Sequence, residues 1–467
     1  MGRNMYWQTQ FDSHIAAGRG GSPALLCGDI ELNYRQLKLA IQARQKALTV
    51  NIQSGQVCAL ALQPSLTSVI SYLACMDAGI PLLLLDKQQT DSVNDRLMDL
   101  YRVAWLLDVT AGEDKAIAPK EAPVRKDLAL LLATSGSTGA PKAVMLSRKN
   151  IVSNACSIAE YLPMRTNDIA ITCLPLHYSF GLSVLNSHLW LGACVLLSDE
   201  AMLSRTFWQH VIKYRVNSLS GVPFSYQMLK NLRIEGMDLP DLRYLTQAGG
   251  KLPHTLVTHF TALAKDKGWS FYIMYGQTEA TARIAYLPPE HLESHGDCIG
   301  KAIPGGELFL KDEQGLRITS SELAGELYYR GDNVMLGYAA CYQDLHGIDC
   351  CNELATGDIA ELTPSGLYRI SGRKRRFIKV RGKRLSLDHI ETLLAASVGS
   401  NVWALGKDEE LQLAYEQAED IQVLTNFAMD QLGLHPSLFK LKHVAELPRL
   451  SNGKPDYQAL STLMEYQ

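Results

Sequence analysis

The chain has 467 residues, 47% of them hydrophobic, and a formal net charge of −3. That length gives room for roughly two to four domains with buried cores. The near-neutral balance offers no global pull toward nucleic acid or an anionic membrane, and no apolar run is long enough to span a bilayer or form a secretory signal core.

Most of the chain alternates helix-like and strand-like segments. Helical periodicity over 34–48 is followed by a short apolar run at 57–62. A second helix is expected over 65–78, then a strand at 81–86. The alternation continues through strands at 128–134, 169–174, 193–197, 242–247 and 270–275, with helices at 207–214 and 253–265 among them. It predicts α/β layers with largely parallel sheets. From about residue 330, Gly331, Gly337, Gly357, Gly366 and Gly372 punctuate short strands, as in a β-rich subdomain. A basic run, a hairpin and a helix over 386–396 come next. The expected division is a large α/β domain, 1–372, carrying the β-rich subdomain, and a small α+β domain, 373–467. The ten cysteines are scattered without a CxxC pair, as expected of reduced thiols in a cytoplasmic protein.

The segment 130–142 is the most informative. A buried strand ends in Thr134-Ser135-Gly136-Ser137-Thr138-Gly139-Ala140-Pro141-Lys142. Glycines let backbone N–H groups converge on an anion, hydroxyls add donors, and the lysine adds a point charge suited to phosphate. It is not a Walker A loop, because Gly-Lys is not followed by Ser or Thr, here or at Gly453-Lys454.

Further segments join it in order: Leu174-Pro175-Leu176-His177-Tyr178-Ser179-Phe180-Gly181, Ala248-Gly249-Gly250, Tyr275-Gly276-Gln277-Thr278-Glu279, Thr356-Gly357-Asp358, Gly372-Arg373 and Ser451-Asn452-Gly453-Lys454. Together they resemble the adenylate-forming superfamily of acyl-CoA synthetases, peptide-synthetase adenylation domains and luciferases. The resemblance runs over nearly the whole chain. It implies that a carboxylic acid attacks the α-phosphorus of ATP, giving acyl-AMP and pyrophosphate. The acyl group then passes to the thiol of CoA or of a phosphopantetheinyl carrier protein.

The resemblance also implies the roles. Residues Thr134 to Gly139 and Lys142 hold the β- and γ-phosphates; Thr278 contacts the α-phosphate; Glu279 helps bind Mg²⁺. Gly249, Gly250, Tyr275 and Gly276 surround the adenine. Asp358 accepts the ribose hydroxyls, and Arg373 contacts the ribose and nearby phosphate. Lys454 bridges the substrate carboxylate and the α-phosphate. Arg375 matches the hinge about which the small domain turns, bringing Lys379 and Gly382 to the site for thiol transfer. His177, Tyr178 and Gly181 line the acyl pocket. That segment supplies no carboxylate for an α-ammonium, which favours a fatty, hydroxy or aryl acid over an amino acid. Lys251 reads as solvated before it reads as a substrate contact.

Two positions depart from the family pattern: Ala143 for a common Gly and Arg148 for a common His. Eight basic residues between Arg373 and Arg384 suit either CoA phosphates or an acidic carrier surface. His291 and His295 have i, i+4 spacing, but the glutamate is misplaced for a zinc motif. A stand-alone amino-acid adenylation protein and a catalytically inactive ATP-binding homologue are the competing readings.

Overall fold

Caps written in the sequence set where the helices start and stop. Asn33 accepts the Gln36 backbone N–H while the Gln36 side chain accepts from Asn33, opening helix Tyr34–Asn51. Ser147 and Asn150 do the same for helix Arg148–Tyr161. Gly79 and Gly192, both left-handed, close helices Leu66–Ala78 and Ser179–Leu191. The computed structural model describes residues 6–53, 55–107, 114–117, 123–134, 142–321, 323–347, 353–374, 376–380, 383–398, 401–407, 409–450 and 453–465.

Two large sheets carry the expected parallel strands. In the first, Pro23–Cys27, Cys194–Leu196, Ile169–Ile171, Ser218–Gly221, Tyr244–Gln247 and Ser270–Tyr275 run parallel. Antiparallel strands Ala285–Leu287, Lys301–Ala302 and Ile30–Asn33 finish its edges. The second is built on parallel strands Trp105–Leu107, Cys58–Leu60, Leu82–Leu84 and Leu128–Thr134. Lys142–Ser147 folds back antiparallel on the last of these. Helix Arg148–Tyr161 packs on the second sheet and helix Ser179–Leu191 on the first, and the two helices pack on each other. Helix Ser179–Leu191 is buried on nearly every side, so its sequence shows no polar face.

The β-rich layer differs from expectation at its start. Its five antiparallel strands begin at Glu307–Lys311 and end at Tyr368–Arg373. Gly337 does not belong to it. Strand Gly337–Ala339 crosses back and pairs with Lys142–Ser147 at the edge of the second sheet. Beyond residue 376, hairpin Phe377–Val380/Lys383–Ser386, helix Leu387–Val398 and a three-stranded sheet enclose their own apolar clusters. There Arg376 is half-buried among Asp388, Glu391 and the Tyr457 hydroxyl, so it serves as a structural ion-pair centre. Among the described residues no helix is long and apolar enough to cross a membrane.

Candidate active site

Register brings the site together. Gly221 pairs with Gln247, and Gln247 with Ile273, so the chain leaves three neighbouring parallel strands side by side at their carboxyl ends. Ligands of α/β sheets bind in that position. The Gln247 amide donates to the Gly250 carbonyl at 2.9 Å and holds the turn shut. Gly249 has φ +87°, and a Cβ there would lie 2.7 Å from the Tyr178 hydroxyl. No other residue serves at that position.

The loop after Ser270–Tyr275 is wound tightly. A Cβ on Gly276 would fall 1.9 Å from the Ala282 carbonyl oxygen. Thr281 holds φ +64°, a costly conformation for a β-branched residue. Buried Asn333 over-determines it: its amide donates to the carbonyls of Ala280 and Arg283 at 2.9 and 2.8 Å, and its carbonyl oxygen accepts the Tyr329 hydroxyl at 2.8 Å. The Asn333 backbone oxygen accepts the Thr281 hydroxyl at 2.8 Å. This clamp presents Thr278 and Glu279. Thr278 shares a 3.3 Å hydrogen bond with Ser179 at the start of helix Ser179–Leu191. Glu279 Oε1 accepts the Tyr338 hydroxyl at 2.6 Å, and Lys142 Nζ lies 5.9 Å from the Tyr338 ring centroid. Lys142, Tyr338 and the Thr278–Glu279 pair thus converge from three separate segments.

Asp358 and Arg373 face each other across neighbouring strands. Arg373 Nε donates to Asp358 Oδ1 at 3.2 Å, and the Tyr275 hydroxyl donates to Oδ2. Asp358 is only 6% exposed. Burial pushes its carboxyl up, against the pull of the Arg373 charge. Tyr275, Asp358 and Arg373 therefore form one unit, which the sequence motifs name separately.

Lys454 arrives from the carboxyl-terminal region. Gly453 has φ +77°, and a Cβ there would lie 3.0 Å from Val222 Cγ2 and 3.8 Å from Phe224 Cβ. The lysine side chain passes over Gly249, and Nζ lies 5.4 Å from the Tyr178 ring centroid. Tyr178 opens helix Ser179–Leu191. Gly181 is required because a Cβ there would meet the Pro175 carbonyl at 2.3 Å. His177 Nε2 sits 3.5 Å from Asp86 Oδ2. Burial pulls the His177 pKa down, with Asp86 opposing. A carboxylate does stand behind the pocket segment, contributed by a residue about ninety positions upstream of it, but His177 engages it.

Of the expected phosphate loop, Ser135, Gly136, Ser137, Thr138 and Gly139 lie outside the described residues, and Thr134 is described only as the strand residue paired with Lys142. Arg375 and Gly382 lie outside them too, and Lys379 is described only as a hairpin residue opposite Arg384. Within the basic run, Arg373 and Lys374 are exposed yet paired with Asp358 and Glu326, and Arg376 is paired with Asp388 and Glu391. Arg148 donates to the Met76 carbonyl and stacks on Tyr6, while Ala143 is a buried strand residue, so neither departure faces Glu279 or Lys454. Lys251 is exposed. His295 bonds Ser294 and Ser365. Among the described residues, no three His, Cys, Asp or Glu side chains are grouped to hold a metal. A lone carboxylate such as Glu279 fits a cation that takes its other ligands from phosphate and water, as Mg²⁺ does.

Sequence reading missed Asn333, Tyr338 and Asp86. Each acts through a long-range contact, and none sits in a local pattern that marks it. The one available signal was Asn333 within Gly-Asp-Asn after a strand, an ordinary turn composition.

The sequence profile of the AMP-binding enzymes matches residues 87–339. The long-chain-fatty-acid–CoA ligase of Salmonella typhimurium is 31% identical over 284 residues, 59% of this chain and 49% of that protein. The 2-succinylbenzoate–CoA ligase of Bacillus pumilus is 26% identical over 393 residues, 79% of each chain. The chain spans half or less of the length of the curated relatives it matches first. Among solved structures, o-succinylbenzoate CoA synthetase from Bacillus subtilis with its acyl-adenylate intermediate superposes with a TM-score of 0.79 at 21% identity, covering 97% of both chains. That likeness is one of fold.

Proposed function

The chain belongs to the AMP-binding enzyme family, and on that premise we propose that it is an AMP-forming acid–thiol ligase. It activates a non-amino carboxylic acid as acyl-AMP and transfers the acyl group to CoA or to a phosphopantetheinyl carrier protein. The observation that carries the reading is Lys454, whose ammonium lies over Tyr178 and Gly249 at the strand ends where Thr278, Glu279 and Asp358 also gather.

Both reactants are anions, so the first task is to bring negative groups together. Lys454 sits between the acyl pocket at Tyr178 and the adenine-side turn at Gly249, where it neutralises the attacking carboxylate and the α-phosphate at once. Thr278 donates to the α-phosphate, held in aim by Ser179. Lys142 and the loop before it take the β- and γ-phosphates. Mg²⁺, held by Glu279, supplies charge neutralisation on the phosphate oxygens when bound. Asp358, backed by Tyr275 and Arg373, accepts the ribose hydroxyls. In the second half reaction the small domain turns about Arg375 and presents Lys379 and Gly382. The missing side chain of Gly382 leaves passage for a pantetheine arm. We place the reaction in the cytoplasm, where ATP and reduced thiols are at hand.

The test is pyrophosphate release across a panel of carboxylic and amino acids, then CoA and a holo-carrier protein as competing acceptors. Release with acids but not amino acids is expected, followed by thioester on one acceptor. ATP binding with no release across the panel would instead support an inactive homologue.

A further inference from the structure

Arg283 follows directly on the Gly276–Ala282 loop. It is 3% exposed, and its guanidinium carbon lies 3.8 Å from the Phe180 ring centroid. Nε approaches Met274 Sδ at 3.4 Å, and Tyr161 and Tyr178 are its other polar neighbours. Among the described residues, no carboxylate lies within ion-pair distance of it. Burial pulls the Arg283 pKa down, with Tyr161 and Tyr178 opposing, yet a guanidinium in a protein keeps its proton.

A buried cation without a counter-charge is costly, and stacking on Phe180 offsets only part of that cost. The position says what is missing. Phe180 and Tyr178 belong to the acyl-pocket segment, their rings edge-on at 6.4 Å. The Lys454 ammonium lies 5.4 Å from the Tyr178 ring centroid. Tyr178 thus neighbours both cations, which sets Arg283 beside the segment where the proposed acid meets Lys454. One guanidinium face lies on Phe180, Nε donates to Met274 Sδ, and Tyr161 is a hydrogen-bond partner. None of these neutralises the charge, which a carboxylate does while meeting the guanidinium plane with both oxygens.

We propose that Arg283 is a specificity-determining residue that pairs with a second carboxylate on the acyl substrate, so that the preferred acids are dicarboxylic. This rests on the ligase reading and narrows it: an unsubstituted fatty acid would leave the buried cation unpaired.

The experiment compares pyrophosphate release with succinate, glutarate, adipate and phthalate against their monomethyl esters and plain monocarboxylic acids. The wild-type protein is expected to prefer at least one diacid over its half ester by about 10²-fold in kcat/KM. Arg283→Met should erase that preference by lowering kcat/KM for the diacid alone, with the KM for ATP unchanged, and Arg283→Lys should restore part of it. Faster release with half esters or monoacids in the wild type overturns the inference and leaves the ligase reading standing. Equal loss for diacid and half ester in Arg283→Met makes the residue a packing element and also overturns it. If no acid in the panel releases pyrophosphate, both readings fall. The wild-type comparison decides even if the Met variant does not fold.

Discussion

At the scale of single residues, charge placement is what this site arranges. Lys454 comes from the carboxyl-terminal region onto Tyr178 and Gly249, and the proposed reaction gives its charge the central role. Preorganised charge of this kind is worth about 10²–10³-fold in rate when one donor is removed. Lys454→Ala is therefore expected to lower pyrophosphate release by that factor. Thioester formation from preformed acyl-AMP should be nearly unaffected, because no carboxylate attacks phosphorus in that step. Single-turnover assays of each half reaction measure this, and matched losses in both would remove the role. The sequence named Lys454, Thr278, Glu279 and Asp358 from local motifs. It did not show that Tyr275, Arg373 and Asp358 act as one hydrogen-bonded unit, since their pairing depends on sheet register.

At the scale of elements, two features hold the Gly276–Ala282 loop and helix Ser179–Leu191, the proposed pocket helix, in place. Asn333 fixes the strained turn at Thr281 through the hydrogen bonds to Ala280, Arg283 and Tyr329. Asn333→Ala leaves those groups buried and unpaired, which costs roughly 2–4 kcal/mol. A lower urea midpoint with an unchanged slope is expected, together with a raised KM for ATP as Thr278 and Glu279 lose their aim. The second feature is His188 in the pocket helix, whose Nδ1 meets the Val184 carbonyl at 2.8 Å and whose Nε2 meets the Tyr244 hydroxyl at 3.2 Å. Burial, opposed by the Val184 carbonyl, holds His188 at about 4, below its ordinary 6.5. Between those values the unfolded chain binds a proton that the folded chain refuses, so stability rises with pH there. It is lost as pH falls from 6.5 toward 4, by roughly 3 kcal/mol from this group. Thermal melts across that range should show the decline, and His188→Gln should flatten it.

At the scale of the whole molecule, the site needs two separately packed regions in one particular arrangement. A Cβ on Gly453 would lie 3.8 Å from Phe224 Cβ, the mean spacing of a disulfide, at the cost of a positive φ and a 3.0 Å approach to Val222 Cγ2. Phe224→Cys with Gly453→Cys should lock Lys454 in the site under oxidation. Pyrophosphate release should persist and thioester yield collapse, with reductant restoring transfer; unimpaired transfer in the locked form would show that the carboxyl-terminal region need not move. The alternating strands and helices and the largely parallel sheets were legible along the sequence. They follow from local periodicity, caps and backbone sterics, which a linear chain carries in full. What only tertiary structure decided was company. Gly337 left the β-rich layer for another sheet, bringing Tyr338 to Glu279, and Asp86 came under His177. Arg376 was paired with Asp388 and Glu391, and Arg283 was left beside Phe180 with no described carboxylate within ion-pair distance. Each outcome depends on which distant side chain burial places next to a charge, and on whether a counter-charge comes with it. Residue spacing along the chain does not encode that.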